Sequence, residues 1–363
     1  MKIIIRNCNV AELDIPLKYA TKLYNEFAIR HPNAFYLRTR QRGMQNWDGK
    51  IKYITKTGQF KIGLLPSVYK RCIELGIKPI IVDMRQPLPK VSKVVTQIGK
   101  YKLRPEQEKA VKAILSNKLG ETPFQIGVLD YTVNAGKTLI MSALYLSYKK
   151  QLKTLLITND SDWLNQARDE FKQYLPGEDI TFVQGKVLNW SNFTIGMVQS
   201  ISRNMKYYQN ELAKIDMVLI DEADQGGSKQ YQNVITRLFN TRVRIGLSGT
   251  IYMSKLAKDK VKNMNLRCFF GDVIAEFKLK DSIKKGYSTK TIVKTVEGKP
   301  WFGNWESDCM SYNEIYDDSI THNKIAWTMA LDRLKWNLNQ GRYPALVVCK
   351  HIAHCENLYK FFK

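Results

Sequence analysis

The chain has 363 residues, with 57 lysines and arginines against 33 aspartates and glutamates, a formal net charge of +24. Its 44% hydrophobic and 25% charged residues are ordinary globular usage, which excludes a disordered, collagen-like or low-complexity protein. The length suits two or three domains, and the excess of positive charge points to a polyanionic partner.

That charge is regional, because the first 100 residues hold 19 basic and 6 acidic side chains, over half of the net charge. Cys8, Cys72, Cys268, Cys309, Cys349 and Cys355 form no CxxC pair and no zinc-ligand spacing. Such usage fits a reduced, cytoplasmic protein. No run approaches the roughly 18 apolar residues of a membrane span. Arg6 and Asn7 interrupt Met1 to Val10 after three isoleucines, so no signal peptide is expected.

Residues 1–93 read as a small basic α+β domain, with strands near Lys2 to Ile5 and Lys50 to Ile54 and helices near Leu17 to Phe27 and Pro66 to Leu75. Gly76 ends the last helix, and Gln86 to Pro89 is a proline-rich linker. Residues 94–285 alternate short apolar strands with helical segments, the pattern of a parallel sheet covered on both faces. Pro105 opens a helix whose apolar stripe is Ala110, Val111, Ile114 and Leu115. Strands are expected at Phe124 to Leu129, Thr154 to Thr158, Phe193 to Val198, Met217 to Ile220 and Val243 to Leu247. Ligands of such sheets sit beyond the carboxyl ends of the strands. Residues 286–363 read as the start of a second α/β unit, with a helix from Ser319 to Leu338, a strand from Ala345 to Val348 and a helix from His351 to Phe362. One half-sheet is too small to close a core, so this unit reads as truncated. Lys255 to Lys262 is either a loop or a phosphate contact, and Trp301 and Trp305 anchor the second unit.

The strand ending at Leu129 runs into Asp130-Tyr-Thr-Val-Asn-Ala-Gly-Lys-Thr138 and a helix, a P-loop arrangement. A triphosphate needs backbone N–H groups aimed at it, a lysine and a hydroxyl for Mg²⁺. Thr132, Val133, Asn134, Ala135 and Gly136 supply the loop, and Lys137 and Thr138 supply the side chains. Met217-Val-Leu-Ile-Asp-Glu-Ala-Asp224 is an apolar strand ending in adjacent carboxylates. There Asp221 would hold the metal and Glu222 polarise the attacking water, so Lys137, Asp221 and Glu222 are the catalytic candidates.

Together these segments resemble the core of a superfamily 2 helicase, and over nearly the whole chain the sequence resembles the phage UvsW-type recombination helicases. Leu103 to Val111 resembles the Q motif, which implies that Gln107 reads the adenine edge while Tyr101 and Arg104 flank the base. Ile157 to Gln166 falls where motif Ia lies, and Gly196-Met-Val-Gln-Ser-Ile201 resembles the segment that touches the DNA backbone through Gln199 and Ser200. Ser248-Gly-Thr250 matches motif III, which with Asp224 couples hydrolysis to nucleic acid. Arg38 to Lys52 resembles the family's Asn-Trp-Asp-Gly segment. Phe270-Gly-Asp-Val-Ile, Lys285-Gly-Tyr and Val347 to His354 resemble the entry to the second lobe and motif IV.

The resemblance implies an α/β, RecA-like parallel-sheet helicase core preceded by a small α+β domain and followed by a truncated second RecA-like lobe. It implies an ATP- and Mg²⁺-dependent enzyme acting on branched or forked DNA in recombination and repair, expected as a monomer. Two alternatives remain open at this stage: a double-strand translocase that does not separate strands, and a basic DNA-binding scaffold with a degenerate P-loop. Departures from the family pattern are Tyr131, Thr132, Val133 and Asn134 in the loop and Asn159 in motif Ia. Asparagine tolerates left-handed backbone, so the loop is expected to keep its shape. The sequence stops before motifs V and VI, so residues 1–363 alone are expected to hydrolyse ATP poorly.

DNA contacts are expected from Arg38, Arg40, Arg42, Lys50 and Lys52 around Trp47, with Gln166, Gln199 and Ser200 on the core. A strand would put Arg38, Arg40 and Arg42 on one face. Trp47 either stacks on a base or belongs to a core.

Overall fold

The computed structural model describes residues 1–40, 43–91, 93–185, 190–252, 257–290, 311–341 and 346–362. They fall into two compact units, Met1–Thr289 and Lys290–Lys363.

The first unit opens with β1 (Lys2–Ile5), β2 (Val10–Asp14), α1 (Leu17–Glu26), β3 (Ala28–Arg30), α2 (Ala34–Arg40), β4 (Lys50–Lys52), β5 (Gln59–Lys61), α3 (Leu65–Glu74) and β6 (Ile80–Asp83). β5, β2, β1 and β6 form one sheet, with β1 antiparallel to β2 and parallel to β6. Period-two alternation buries Ile3 and Ile5 of β1 and Ala11 and Leu13 of β2 on one face. α3 lays Val68 and Cys72 against them.

One expectation fails here. Arg38 and Arg40 lie on a helix, where residues two apart point to nearly opposite sides rather than to one face. The segment connects the hairpin partners β3 and β4, and among the described residues no strand pairs with it to supply ladder bonds. Its backbone closes locally instead: Leu37 N–H donates to the Asn33 carbonyl, and the Thr39 hydroxyl donates to those of Phe35 and Tyr36. Arg42 lies outside the described residues.

The rest of the unit comprises β7 (Gln97–Ile98), β8 (Tyr101–Lys102), α4 (Pro105–Ser116), β9 (Lys118–Leu119), β10 (Thr122–Pro123), β11 (Ile126–Tyr131), α5 (Lys137–Ser147), β12 (Thr154–Thr158), α6 (Ser161–Tyr174) and β13 (Ile180–Val183). It continues with β14 (Phe193–Met197), α7 (Val198–Arg203), α8 (Met205–Ala213), β15 (Met217–Asp221), α9 (Lys229–Ile235), β16 (Val243–Ser248), α10 (Ala257–Phe270), β17 (Val273–Phe277) and α11 (Leu279–Lys284). Seven strands form an all-parallel sheet in the order β13-β14-β12-β15-β16-β11-β17. This is the doubly covered α/β sheet of a RecA-like core.

Burial on both faces explains the near-continuous apolar runs of its strands. Leu129, Leu156, Leu219 and Ile245 enter a core with α4, α5 and α6. Their neighbours Val128, Leu155, Ile157, Val218 and Ile220 share the opposite core with Ile3, Ile5, Leu64 and Val68 of the N-terminal module. Gly63 marks the contact, because a Cβ there would meet the Arg267 carbonyl oxygen at 2.2 Å. The fully buried Arg244 on β16 clamps it, donating to the Cys8 carbonyl at 2.8 Å and to Asn9 Oδ1 at 2.9 Å.

The second unit contributes α12 (Tyr312–Tyr316), α13 (Lys324–Asn339) and α14 (Ile352–Phe362). The expected helix from Ser319 is interrupted, because Asp317–Thr321 form a separate π-helical turn that ends at His322, and Asn323 then caps Lys324–Asn339 by accepting from Ala326 N–H at 3.0 Å. The expected strand at Ala345 to Val348 is not formed by its described residues, Leu346 to Val348, which are irregular and beside no other strand among the described residues. Trp301 and Trp305 lie outside the described residues, as does the start of the lysine-rich stretch, whose later part is on α10. No described helix is long and apolar enough to cross a membrane.

Candidate functional site

The loop between β11 and α5 follows the carboxyl end of an interior strand, next to the edge strand β17, where a helix start aims unpaired N–H groups outward. Asn134 and Gly136 take positive φ, 63° and 72°. Gly136 has a second constraint, since a Cβ there would lie 2.3 Å from Gln107 Nε2. Arg104 Nη2 donates to the Asn134 carbonyl at 3.0 Å, and Gln107 Nε2 to that of Ala135 at 2.9 Å. Two side chains at the start of α4 therefore hold the loop. Thr132 is buried and Val133 is exposed.

β15 ends at the buried Asp221, separated from β11 by β16. Lys137 Nζ lies 3.3 Å from Asp221 Oδ1 and 3.4 Å from Glu222 Oε1. The three catalytic candidates thus meet across the carboxyl ends of β11 and β15, with β16 between them. Glu222 takes a left-handed turn, φ 49°, and leaves its carboxylate half exposed. Asp221 Oδ1 is buried and accepts no hydrogen bond. Among the described residues the close partner of this buried carboxylate oxygen is the Lys137 ammonium, so Asp221 suits a hard cation in that ammonium's place, and Thr138, next to Lys137 in the first turn of α5, offers a hydroxyl for the proposed Mg²⁺. The Tyr231 hydroxyl is buried near the same carboxylates, and burial, reinforced by Asp221, Asp224 and Glu222, pushes its pKa well above the usual tyrosine range.

Ser248 Oγ, at the end of β16, donates to Asp224 Oδ1 at 3.0 Å and accepts from Thr250 N–H at 3.1 Å. The two hydroxyls of Ser248 and Thr250 are 3.3 Å apart. The three coupling candidates therefore form one hydrogen-bonded chain.

The expected adenine readers are placed differently from one another. Gln107 is buried, with its oxygen accepting from Arg104 N–H at 2.8 Å and its nitrogen engaged by the P-loop. Tyr101 packs edge-on against Tyr174 and bonds Gln173 through its hydroxyl. The Arg104 guanidinium instead covers the ring of Tyr287, 4.3 Å from its centroid. Tyr287 is an aromatic neighbour of this site that sequence reasoning did not assign, though Lys285-Gly-Tyr287 was noticed. Glu106, buried beside it, takes Lys285 Nζ at 2.8 Å and lies 3.2 Å from Arg104 Nε. The hydrogen bond that Lys285 donates to Glu106 raises the Lys285 pKa.

Among the DNA candidates, Arg38, Arg40 and Lys50 are exposed. Lys52 is half-buried, paired with Asp48 at 3.1 Å and set over the ring of Tyr24. Trp47 is also half-buried, with its indole N–H donating to the Lys50 carbonyl at 3.0 Å and its ring edge-on to His31. The exposed aromatics of this module are Phe35 and Tyr36 on α2, 79% and 53% accessible. Their adjacency just before Arg38 was the available signal. Gln199 donates to the Asn159 carbonyl at 3.2 Å, joining two motif segments, while Gln166 on α6 bonds Glu170 at 2.8 Å. Ser200 accepts from Asn204 through its carbonyl.

Residues 100–253 match the family described as "Type III restriction enzyme, res subunit". The ATP-dependent DNA helicase uvsW of Enterobacteria phage T4 is 22% identical over 347 residues, which cover 88% of this chain and 64% of that protein. A protein of Acanthamoeba polyphaga mimivirus described as an ATP-dependent RNA helicase is 26% identical over 147 residues, 40% of this chain and 27% of its own length. The chain therefore spans less than two thirds of the length of either relative. Two crystal structures of the bacteriophage T4 UvsW helicase share the fold at 20% identity. One has a TM-score of 0.60 over 76% of this chain and all of its own. The other has a TM-score of 0.58 over the whole of this chain and 72% of its own. In sequence and in fold, this chain resembles the UvsW-type superfamily 2 helicases, and its first compact unit carries their RecA-like core.

Proposed function

We propose that the protein is an ATP-dependent superfamily 2 DNA helicase acting on branched DNA, in fork remodelling, recombination and repair. The observation that carries this reading is the convergence of Lys137, Asp221 and Glu222 at the carboxyl end of the sheet. The P-loop N–H groups and Lys137 would receive the nucleotide phosphates, and the lysine would exchange its two carboxylates for them. Thr138 and Asp221 would hold Mg²⁺, which when bound neutralises charge on the phosphate oxygens. Glu222, more exposed than Asp221, is free to orient a water and accept its proton. The link from Asp224 through Ser248 to Thr250 then reports the state of this site to the strand β16. Arg38, Arg40 and Lys50 supply phosphate contacts, and the exposed Phe35 and Tyr36 supply faces for unpaired bases.

The test is the ATPase rate with and without forked DNA, for wild type and Glu222→Gln. DNA stimulation is expected in wild type, with turnover falling by about 10² or more in the variant while nucleotide binding persists. Absence of DNA stimulation overturns the motor reading. Strand displacement on the fork separates a helicase from a double-strand translocase, and nucleotide binding that vanishes in Lys137→Ala excludes a scaffold.

A further inference from the structure

At the amino-terminal end of the large sheet, arginines gather where the N-terminal module meets it. Arg242 immediately precedes β16, whose opposite end carries Ser248, so along this strand the cluster is about 20 Å from the P-loop end. Arg85 comes from the segment after β6. The two side chains are only 2% and 8% exposed, Arg85 the deeper. Burying guanidinium groups costs several kcal/mol each unless opposite charge compensates them, on the order of the penalties seen for buried ions.

Here the compensation is thin. Asp83 is shared by both: Arg85 donates to it through Nε at 2.8 Å and Nη2 at 2.9 Å, and Arg242 through Nη2 at 3.3 Å. Arg85 Nη1 and Arg242 Nε and Nη1 are buried with no hydrogen-bond partner among the described residues. The nearby Arg244 adds a third charge and is spent on carbonyl and amide oxygens. Arg85 and Arg242 are among the residues that line a cavity of about 500 Å³, with Arg6, Asn7, Gln151 and Asn240. Asp216 also lines it, but one oxygen already accepts Lys153 N–H at 3.0 Å. Arg6 is paired with Glu12 at 3.0 Å.

We propose that this cavity is an anion site for a phosphate-class oxyanion, gripped by Arg85 and Arg242. Arginine forks match tetrahedral phosphate oxygens in geometry as well as charge, and three guanidinium nitrogens of this pair are buried without a hydrogen-bond partner among the described residues, so a small turn of either side chain would bring them to an anion in the cavity. The anion is inorganic phosphate or a phosphate of a nucleic-acid backbone, and the chemistry of recognition is the same. This proposal does not depend on the helicase reading.

The experiment is the melting temperature of residues 1–363 against sodium phosphate at constant ionic strength and pH, in wild type and in Lys137→Ala, where the P-loop lysine is gone. Phosphate is expected to raise it saturably by about 2–5 °C in both proteins. Arg242→Met should lose the rise and, without phosphate, melt no lower than its parent, because a buried and poorly paired charge has been removed. Arg85→Met is the second variant and should lose the rise in the same way. No phosphate response in Lys137→Ala, or a response that survives both methionine variants, overturns the proposal. Fluorescent forked DNA separates the two sources. DNA binding weakened both by phosphate and by Arg242→Met assigns the site to backbone phosphate, and DNA binding unchanged by either assigns it to the free anion.

Discussion

Gln107 donates to the Ala135 carbonyl at 2.9 Å, so the helix that opens the core holds the nucleotide loop in its left-handed course. Gln107→Ala is expected to leave that carbonyl without its donor. The expected cost is about 1–3 kcal/mol of stability and a raised KM for ATP, because the loop loses its brace. Urea unfolding and nucleotide titration read the two effects separately.

Gly136→Ala should be worse for nucleotide binding than for folding. Its φ of 72° and the 2.3 Å approach to Gln107 Nε2 penalise any side chain. Strain of about 1–2 kcal/mol is expected, released by a shift of the loop that misplaces its N–H groups. A variant that binds fluorescent ATP with wild-type affinity contradicts this.

Ser248→Ala removes the donor to Asp224 while leaving Lys137, Thr138 and Asp221 in place. Nucleotide affinity should change little, whereas the stimulation of ATPase by DNA should fall by about 10-fold, the worth of a hydrogen bond to a charged group. Equal loss of basal and stimulated rates would show that the serine serves the chemistry rather than the coupling.

DNA affinity should fall with salt at a slope of roughly −3 to −4.5 in log–log terms if three to five phosphates are neutralised. Arg38→Ala and Arg40→Ala should each reduce the slope by about 1. Phe35→Ala and Tyr36→Ala should weaken binding to forked DNA without changing the slope, since stacking releases no counterions. Trp47→Ala should destabilise the β3–β4 hairpin, because its indole N–H holds the Lys50 carbonyl.

Burial raises the Asp83 pKa, but the hydrogen bonds and charge of Arg85, with the charge of Arg242, outweigh it and leave it below the ordinary aspartate value. A folded pKa below the unfolded one means stability that is present above about pH 4 and lost as pH falls through the folded value. Asp83→Asn should therefore destabilise the protein by about 3 kcal/mol at neutral pH and flatten its acid unfolding. Melting curves at pH 7 and pH 3 of both proteins check the sign.

The strands of the large sheet were legible because they are apolar runs buried on both faces; Thr154–Thr158 falls where it was expected. The positive φ of Asn134 follows from what asparagine tolerates locally. Features that depend on distant partners were not legible. Nothing in Arg38 to Arg42 says that the segment bridges two paired strands and must bond to itself. Val243-Arg-Ile-Gly reads as an ordinary strand, and only the packed module supplies the Cys8 carbonyl that explains a buried arginine within it. Tyr287 meets Arg104 across 183 positions of chain, a separation no local pattern spans.

Because the N-terminal module and the sheet bury their apolar side chains in one common interior, sealed at Gly63 and clamped by Arg244, the two behave as a single casting rather than as cargo on a leash. A gene divided at Lys93 would leave each product with a greasy scar where Ile3, Leu64, Val128 and Ile220 now meet. Any force applied to the basic module is then delivered directly to the strands beneath the P-loop, with no slack to take up first.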